Sequence, residues 1–457
     1  MLTKYKLPLL FMVLVALAVI SGMLSANILK TVSVKSKSRS KTITKKITNK
    51  LPLYQVVKAS KLGRGVQRNY HADHLAGNMG LPDVSETKIR ITNNIIHKGE
   101  FFSIFVDLYD SSGRQRIKGG DFLFAKLSIN GTRSAGKIID FDNGTYEVIY
   151  FASHEGIVQP NILLVHPQEA VDYLENKLWP IEGRVYWRAT FTSKGQQEQT
   201  LCMLKKGGSW KNKCEYTYPE ALGGIMFICD KPKTLPCDSL KFTNTARDIV
   251  AENFKNTSHE VLNYFAKEVQ YAAITYISSI PIIVKSAENP LVNRPLLESI
   301  DLPVCKGMIP SPLSDGFWTG DVWHSLVCKT KQWSPSEIRR CVRGKHLVLM
   351  GDSTTRQWGE VLLKTLELST KHVHFQHITE RSDTLNLTFY FHPFMLGSSK
   401  NDLTKLTFDV DILNGLVGCD YYIVISPWAH YTQWARDSYK ERLQLLKVET
   451  ADDVCVH

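Results

Sequence analysis

Between residues 88 and 166, short apolar runs alternate with turn signals, and this spacing restricts the fold more than any other feature of the chain. Residues 101–109 form one run, closed by Asp110-Ser111-Ser112-Gly113. Residues 122–129 form the next and end at Asn130-Gly131. Residues 138–141 lead into Asp142-Asn143-Gly144, 145–151 return, and 162–165 close the set. Runs this short, rich in β-branched and aromatic residues and separated by Asn-Gly and Ser-Gly pairs, predict strands arranged as a β-sandwich. Asn143 then falls on a hairpin tip, where a glycan is tolerated.

Beyond the sandwich, Cys202, Cys214, Cys229 and Cys237 cluster within 36 residues. Four cysteines allow three disulfide connectivities, and spacing does not choose among them. Zinc is the competing reading, but the cluster contains no C-x-x-C pair, so disulfides are preferred and no metal is expected. His372, His374 and His377 lack a Cys or carboxylate at ligand spacing and read as polar strand residues. There is no Gly-rich phosphate loop, and no cofactor is expected. Val250, Phe254, Val261, Leu262, Phe265 and Val269 recur at roughly helical spacing and predict a helix within 246–272. Pro281, Pro290 and Pro295 then mark a connection, so 241–304 reads as a helical link to another domain beginning at Cys305.

The N-terminal residues bear on compartment. Residues 7–29 are 23 positions without a formal charge, behind Lys4 and Lys6, which suffices to span a bilayer. Cleavage after Ala26 would put bulky Leu24 three positions before the cut, so 1–29 is read as a signal anchor, with a cleaved signal peptide as the alternative. The basic flank from Lys30 to Lys50 argues for a cytosolic side. Nine cysteines, with N-x-Ser/Thr sequons at Asn130, Asn143, Asn256 and Asn386, argue more strongly for the secretory-pathway lumen. The expectation is a single-pass type II membrane protein or a secreted one. The net charge of +12 is local: the first 70 residues hold 14 Lys and Arg and no acid, so the remainder carries 42 basic against 44 acidic residues. A general nucleic-acid surface is therefore not supported, and residues 30–87 read as a basic, flexible stem.

One motif has the pattern of chemistry. The apolar run 346–350 is followed by Gly351-Asp352-Ser353-Thr354-Thr355-Arg356-Gln357-Trp358, after which Trp358, Val361, Leu362 and Leu366 fall at helical spacing. That order predicts strand, tight turn and helix, with Ser353 in the turn. A hydroxyl there is exposed at the carboxyl edge of the strand, and N–H groups at the helix start can stabilise an oxyanion. A Ser hydroxyl still needs a base. The structural alternative is that Ser353 or Thr354 caps the helix, with Asp352 favourable at its positive end. Residues 421–426 form a second buried-type strand that exits at Trp428-Ala429-His430, and His430 is either a pocket residue or an ordinary loop histidine.

These residues carry a resemblance. Cys341-Val342-Arg343-Gly344, the Gly351-Asp352-Ser353 block, and upstream Gly316-Phe317-Trp318 with Trp323 resemble the neurexophilin and PC-esterase domain (NXPE) family. So does the stretch from Gly119-Gly120-Asp121-Phe122 to Asp142-Asn143-Gly144-Thr145-Tyr146, followed by His166-Pro167. The resemblance covers about residues 88–447 and implies a multi-domain protein. An immunoglobulin-like, neurexophilin-like β-sandwich would occupy 88–240, and an α/β SGNH-type (PC-esterase) domain would occupy 305–457. It implies chemistry similar to that of carbohydrate O-acetyl esterases and acetyltransferases, with Ser353 as nucleophile and Gly351 and Asp352 shaping the turn and oxyanion hole. The family's Asp-His segment lies late in the domain, and Asp453 and His457 do not match it. The domain is therefore expected to be truncated and inactive in this chain. Two functions follow: an enzyme acting on a glycan or glycoprotein, or a non-catalytic extracellular ligand or adhesion protein whose β module binds a neurexin-like cell-surface partner.

Overall fold

In the computed structural model, the described residues run from Gly80 to Asp452 except 92, 209, 218–224, 247, 250–256, 266–271, 275–280, 287–301, 306–311, 369–371, 375–376, 382–384, 392–408, 417–419 and 427–433. The leader, the basic stem, Asn256, His430, Asp453 and His457 thus lie outside them. Among the described residues, no helix is long and apolar enough to cross a membrane.

The chain opens with eight strands: β1 (Pro82–Ile91), β2 (Ile95–His97), β3 (Phe101–Asp110), β4 (Phe122–Ile129), β5 (Thr132–Ala135), β6 (Lys137–Asp140), β7 (Thr145–Phe151) and β8 (Gly156–His166). Helix α1 (Gln168–Tyr173) follows, then β9 (Trp187–Ser193), β10 (Gln196–Lys206), β11 (Lys213–Thr217), β12 (Ile225–Asp230) and β13 (Leu240–Thr245). Next come α2 (His259–Tyr264), β14 (Ala272–Ile274), β15 (Ile283–Lys285), β16 (Gly316–Thr319) and β17 (Val322–Ser325). The last part holds α3 (Pro335–Val342), β18 (His346–Gly351), α4 (Ser353–Thr365), β19 (His372–His374), β20 (His377–Arg381), β21 (Asn386–Phe391), α5 (Asp409–Asn414), β22 (Tyr421–Ile425) and α6 (Arg436–Asp452).

These elements belong to two compact units. The described residues of the sandwich unit fall within Gly22–Tyr173 and Ser258–Gln332, and those of the serine unit within Leu174–Thr257 and Trp333–His457. Of residues 88–240, the expected extent of the β module, the stretch up to Tyr173 falls in the former and β9–β12 fall in the latter.

The sandwich unit pairs a β1-β3-β7-β6 sheet with a larger sheet ordered β17-β16-β5-β4-β8-β15-β2, to which β14 adds against β8. Alternation decides which side chains face inward, because strand side chains repeat every two residues. Phe102, Ile104, Val106 and Leu108 of β3 therefore meet Leu123, Leu127, Tyr146, Val148, Ile162 and Leu164 in one core. Full burial of each such aliphatic side chain stabilises the fold by roughly 1.5–3 kcal/mol. The β4–β5 turn has positive φ at both Asn130 (42°) and Gly131 (80°), the backbone that a tight hairpin needs and that Asn-Gly adopts cheaply. Inside the unit, Arg116 bridges Glu169 on α1 at 2.8 Å, while the Tyr146 hydroxyl donates to Asp121 at 2.7 Å. A buried guanidinium and a buried carboxyl are tolerable only with such partners.

The serine unit contains two sheets. One is antiparallel, ordered β11-β12-β10-β9-β13. Cys202 lies opposite Cys229 across β10 and β12 and is bonded to it, and Cys214 is bonded to Cys237. Their sulfurs sit in a core with Trp187, Phe191 and Phe227. The other sheet is ordered β19-β20-β21-β18-β22, with β18 parallel to both of its neighbours. Leu349, Leu363, Leu385, Leu387 and Phe389 fill the space between this sheet and α4. Helix α3 starts with a reciprocal cap in which Glu337 N–H donates to Ser334 Oγ and Ser334 N–H donates to Glu337, two orphan helix-end donors satisfied at once. Within the same unit the Arg184 guanidinium donates to Trp434 O at 2.6 Å, and Arg436 N–H to Trp179 O at 3.1 Å.

The protein is therefore β-rich and multi-domain. The helix expected within 246–272 is represented among the described residues by α2 alone, and β13 runs up to its expected start.

Candidate functional site

The central strand β18 is buried over its last four residues and ends at Gly351. Gly351 is required by closeness: a Cβ there would overlap the Thr355 hydroxyl and stand 2.7 Å from Thr355 Cβ. The chain turns at Asp352 and enters α4 at Ser353. Asp352 is the helix cap, its Oδ1 accepting from Thr354 N–H at 2.8 Å and Thr355 N–H at 3.4 Å. It is 2% exposed. The capping role open to Ser353 or Thr354 in the sequence is thus taken by the residue before them. Ser353 is exposed at the first helical position, and neither its hydroxyl nor its N–H is used by the cap.

Two further features set the chemistry of this corner. First, β18 is flanked by β21 on one side and β22 on the other, both parallel to it. Strand order reverses at β18, and in open α/β sheets the crevice beyond the strand ends at such a point is where ligands bind. Second, Ser426 N–H donates to Met350 O at 2.8 Å, so the segment leaving β22 starts beside the exit of β18. His430 follows four residues later, outside the described residues. His346 is not positioned to assist: it begins β18, with Nε2 2.9 Å from Thr388 Oγ1, roughly 16 Å along the strand from Gly351.

Helix α4 is held down by Gly359, where a Cβ would lie 3.0 Å from Leu349 Cδ1, and by Leu363 and Leu366. Its outer side exposes Trp358 and Val361, and Arg356 pairs with Glu360 at 2.5 Å. Asp409 at the start of α5 pairs with the fully buried Arg442 of α6. That pair carried no sequence signal, since its members lie 33 residues apart.

The remaining predicted positions distribute as follows. Asn130 and Asn143 are exposed in the β4–β5 and β6–β7 turns, and Asn386 is exposed at the start of β21. Asn143 Oδ1 accepts from Thr145 N–H at 3.0 Å. The four clustered cysteines form two disulfides, and a third, Cys305–Cys328, went unpredicted. Cys341 on α3 is an exposed free thiol. His372, His374 and His377 fall on β19 and β20. Among the described residues, no group of three or more His, Cys, Asp or Glu is arranged to hold a metal.

With the geometry in place, comparison with family models defines the class. The neurexophilin model matches residues 110–266, and the model for the NXPE family member 4-like C-terminal domain matches residues 323–450. The chain belongs to the NXPE/neurexophilin family.

Proposed function

We propose that the serine unit is the acyl-transfer centre of a secretory-pathway glycoprotein, forming or cleaving O-acetyl esters on carbohydrate, with Ser353 as nucleophile. The observation that carries this reading is the division of labour at the turn. Asp352 caps the helix, and this leaves the Ser353 hydroxyl and N–H uncommitted at the carboxyl edge of the central parallel strand. Ser353 Oγ would attack the ester carbonyl while a base takes its proton. The Ser353 N–H, which the cap leaves uncommitted, would help to stabilise the oxyanion, and the sugar hydroxyl would leave with the proton. Water, or a second sugar hydroxyl, would then accept the acetyl group. His430 is the base we propose, because its segment leaves β22 beside the exit of β18. The lumenal setting draws on the three disulfides, which persist in oxidising compartments.

The decisive experiment compares wild type with Ser353→Ala on an O-acetylated glycan, following acetate release and transfer. Loss of a nucleophile of this kind costs on the order of 10⁶ in turnover, and Ser353 is exposed, so the variant should fold. Equal turnover in both proteins would remove Ser353 from the reaction. The second reading, a non-catalytic ligand for a neurexin-like cell-surface partner, draws on the neurexophilin match at 110–266. An inactive wild type that binds such a partner through the sandwich unit would favour it.

A further inference from the structure

The larger sheet of the sandwich unit carries a row of side chains left open to solvent by the described residues. The register aligns Gln159 of β8 with Ser128 of β4, Ser128 with Arg133 of β5, Arg133 with Trp318 of β16, and Trp318 with Trp323 of β17. Residues directly opposite share a face. Their neighbours Leu127, Ile129, Thr132 and Phe317 are buried, so this row points outward. Gln159, Arg133 and Trp318 are exposed, and Ser128 and Trp323 are half-buried. Five strands about 4.8 Å apart make the row about 19 Å long.

The aromatic end is a pair of indoles in contact. The Trp318 and Trp323 rings stand 5.4 Å apart and tilted. Trp323 lies over Gly316, where a Cβ would come within 2.6 Å of the indole. Trp318 nonetheless remains 45% exposed, a large apolar plane left in water. Next to it, Arg133 has no partner among the described residues. The other described arginines of the unit are engaged, Arg90 with Asp107, Arg114 with Asp110 and Arg116 with Glu169. Lys126, two residues along β4 from Ser128, is also exposed and has no ion-pair partner among the described residues.

We infer that this face is a binding site for an anionic oligosaccharide. A pyranose ring offers an apolar C–H face to an indole plane and a rim of hydroxyls to amide, hydroxyl and guanidinium groups. A carboxylate or sulfate on the sugar supplies the charge that Arg133 and Lys126 lack, and guanidinium geometry suits both. Protein interfaces are also enriched in Trp and Arg, so what favours a sugar is the line of amide, hydroxyl and guanidinium groups running on from the indole pair, with Lys126 on the same face. Here the aromatic pair stands at the sheet edge, and an unpaired cation occupies the middle of the row. The site belongs to the sandwich unit and stands whether or not Ser353 is a nucleophile.

The test uses the full chain secreted from cells, titrated with a sulfated hexasaccharide, an unsulfated uronic-acid hexasaccharide and a neutral glucose hexasaccharide. Tryptophan fluorescence and calorimetry are the readouts. At least one anionic probe should bind, about tenfold or more tighter than the neutral one, and more weakly as ionic strength rises. Which anionic probe binds distinguishes sulfate from carboxylate. Trp318→Ala should weaken binding about tenfold, Arg133→Gln should reduce the preference for charge, and Arg133→Gln with Lys126→Gln should abolish it. All three positions are exposed, and circular dichroism with intact disulfides checks folding, with Trp318→Phe as a milder variant that should retain binding. Four results would overturn the proposal: no binding of any probe, equal binding of the neutral probe, affinity unchanged in both Trp318→Ala and Arg133→Gln, or burial of this face against a second copy or a protein partner.

Discussion

His166 ends β8 fully buried, with Phe122 stacked on its ring and Phe265 edge-on at 5.9 Å. Neither ring nitrogen has a hydrogen-bond partner among the described residues, and burial pushes its pKa down to about 4. The unfolded chain takes up this proton near pH 6.5 and the folded chain only near 4. His166 therefore contributes stability that is complete above pH 6.5 and is lost as pH falls toward 4, roughly 3 kcal/mol in all. Asp121 acts in the opposite sense, because burial raises its carboxyl to about 6. It favours the folded state below its unfolded value near 3.8, and that contribution fades as pH rises through 6. The wild-type profile holds both, so His166→Leu isolates one of them. Denaturant melts between pH 4 and 7 should show the variant losing less stability on acidification than wild type, and parallel profiles would refute this account. The pair His166-Pro167 was visible as part of the family resemblance. The isolation of the imidazole was not, since its neighbours Phe122 and Phe265 come from distant sequence.

At the level of elements, α4 shows what patterning can and cannot convey. Trp358, Val361, Leu362 and Leu366 sit at helical spacing and correctly announce a helix after a strand. They do not say which residues face inward. Trp358 and Val361 are exposed, while Leu363 and the small Gly359 make the close contact with the sheet. The β3, β4 and β7 strands were legible because one face is core and the other is not, which makes alternation visible. The choice of neighbours was not legible. Neither the position of β18 between β21 and β22 nor the pairing of Cys202 with Cys229 follows from spacing, because both depend on long-range register. The site was read in part: the turn and the exposure of Ser353 were foreseen, but the cap was one residue earlier than Ser353. Asp352→Ala should cost about 1 kcal/mol through the lost cap, seen as a lowered denaturation midpoint, and should also lower any Ser353-dependent turnover. Unchanged stability would mean that the two N–H groups find water equally well. Asp352→Asn, which keeps an acceptor, should recover most of the loss.

For the whole molecule, charge and glycosylation are the testable consequences of organisation. The body is nearly neutral, and its sequons at Asn130 and Asn143 lie in exposed turns. If the described units face the secretory lumen, as we propose, glycosidase treatment of the cell-expressed protein should lower its apparent mass, and Asn143→Gln should remove part of that shift. An unshifted band, with Cys202, Cys214, Cys229 and Cys237 reactive toward alkylating reagents before reduction, would place the protein elsewhere.

The two units are interleaved: the sandwich unit takes the first and third described stretches of chain, the serine unit the second and fourth. A ribosome releases these stretches in order, and domains generally fold as they emerge. The sandwich unit has all of its described strands once residue 332 is out, whereas Arg184, just ahead of β9, must wait for Trp434, just ahead of α6, to supply the carbonyl that it holds. During that interval the two early disulfides are the covalent means of keeping the β9–β13 sheet in register. Their formation is thus tied to the pace of translation as much as to the finished fold.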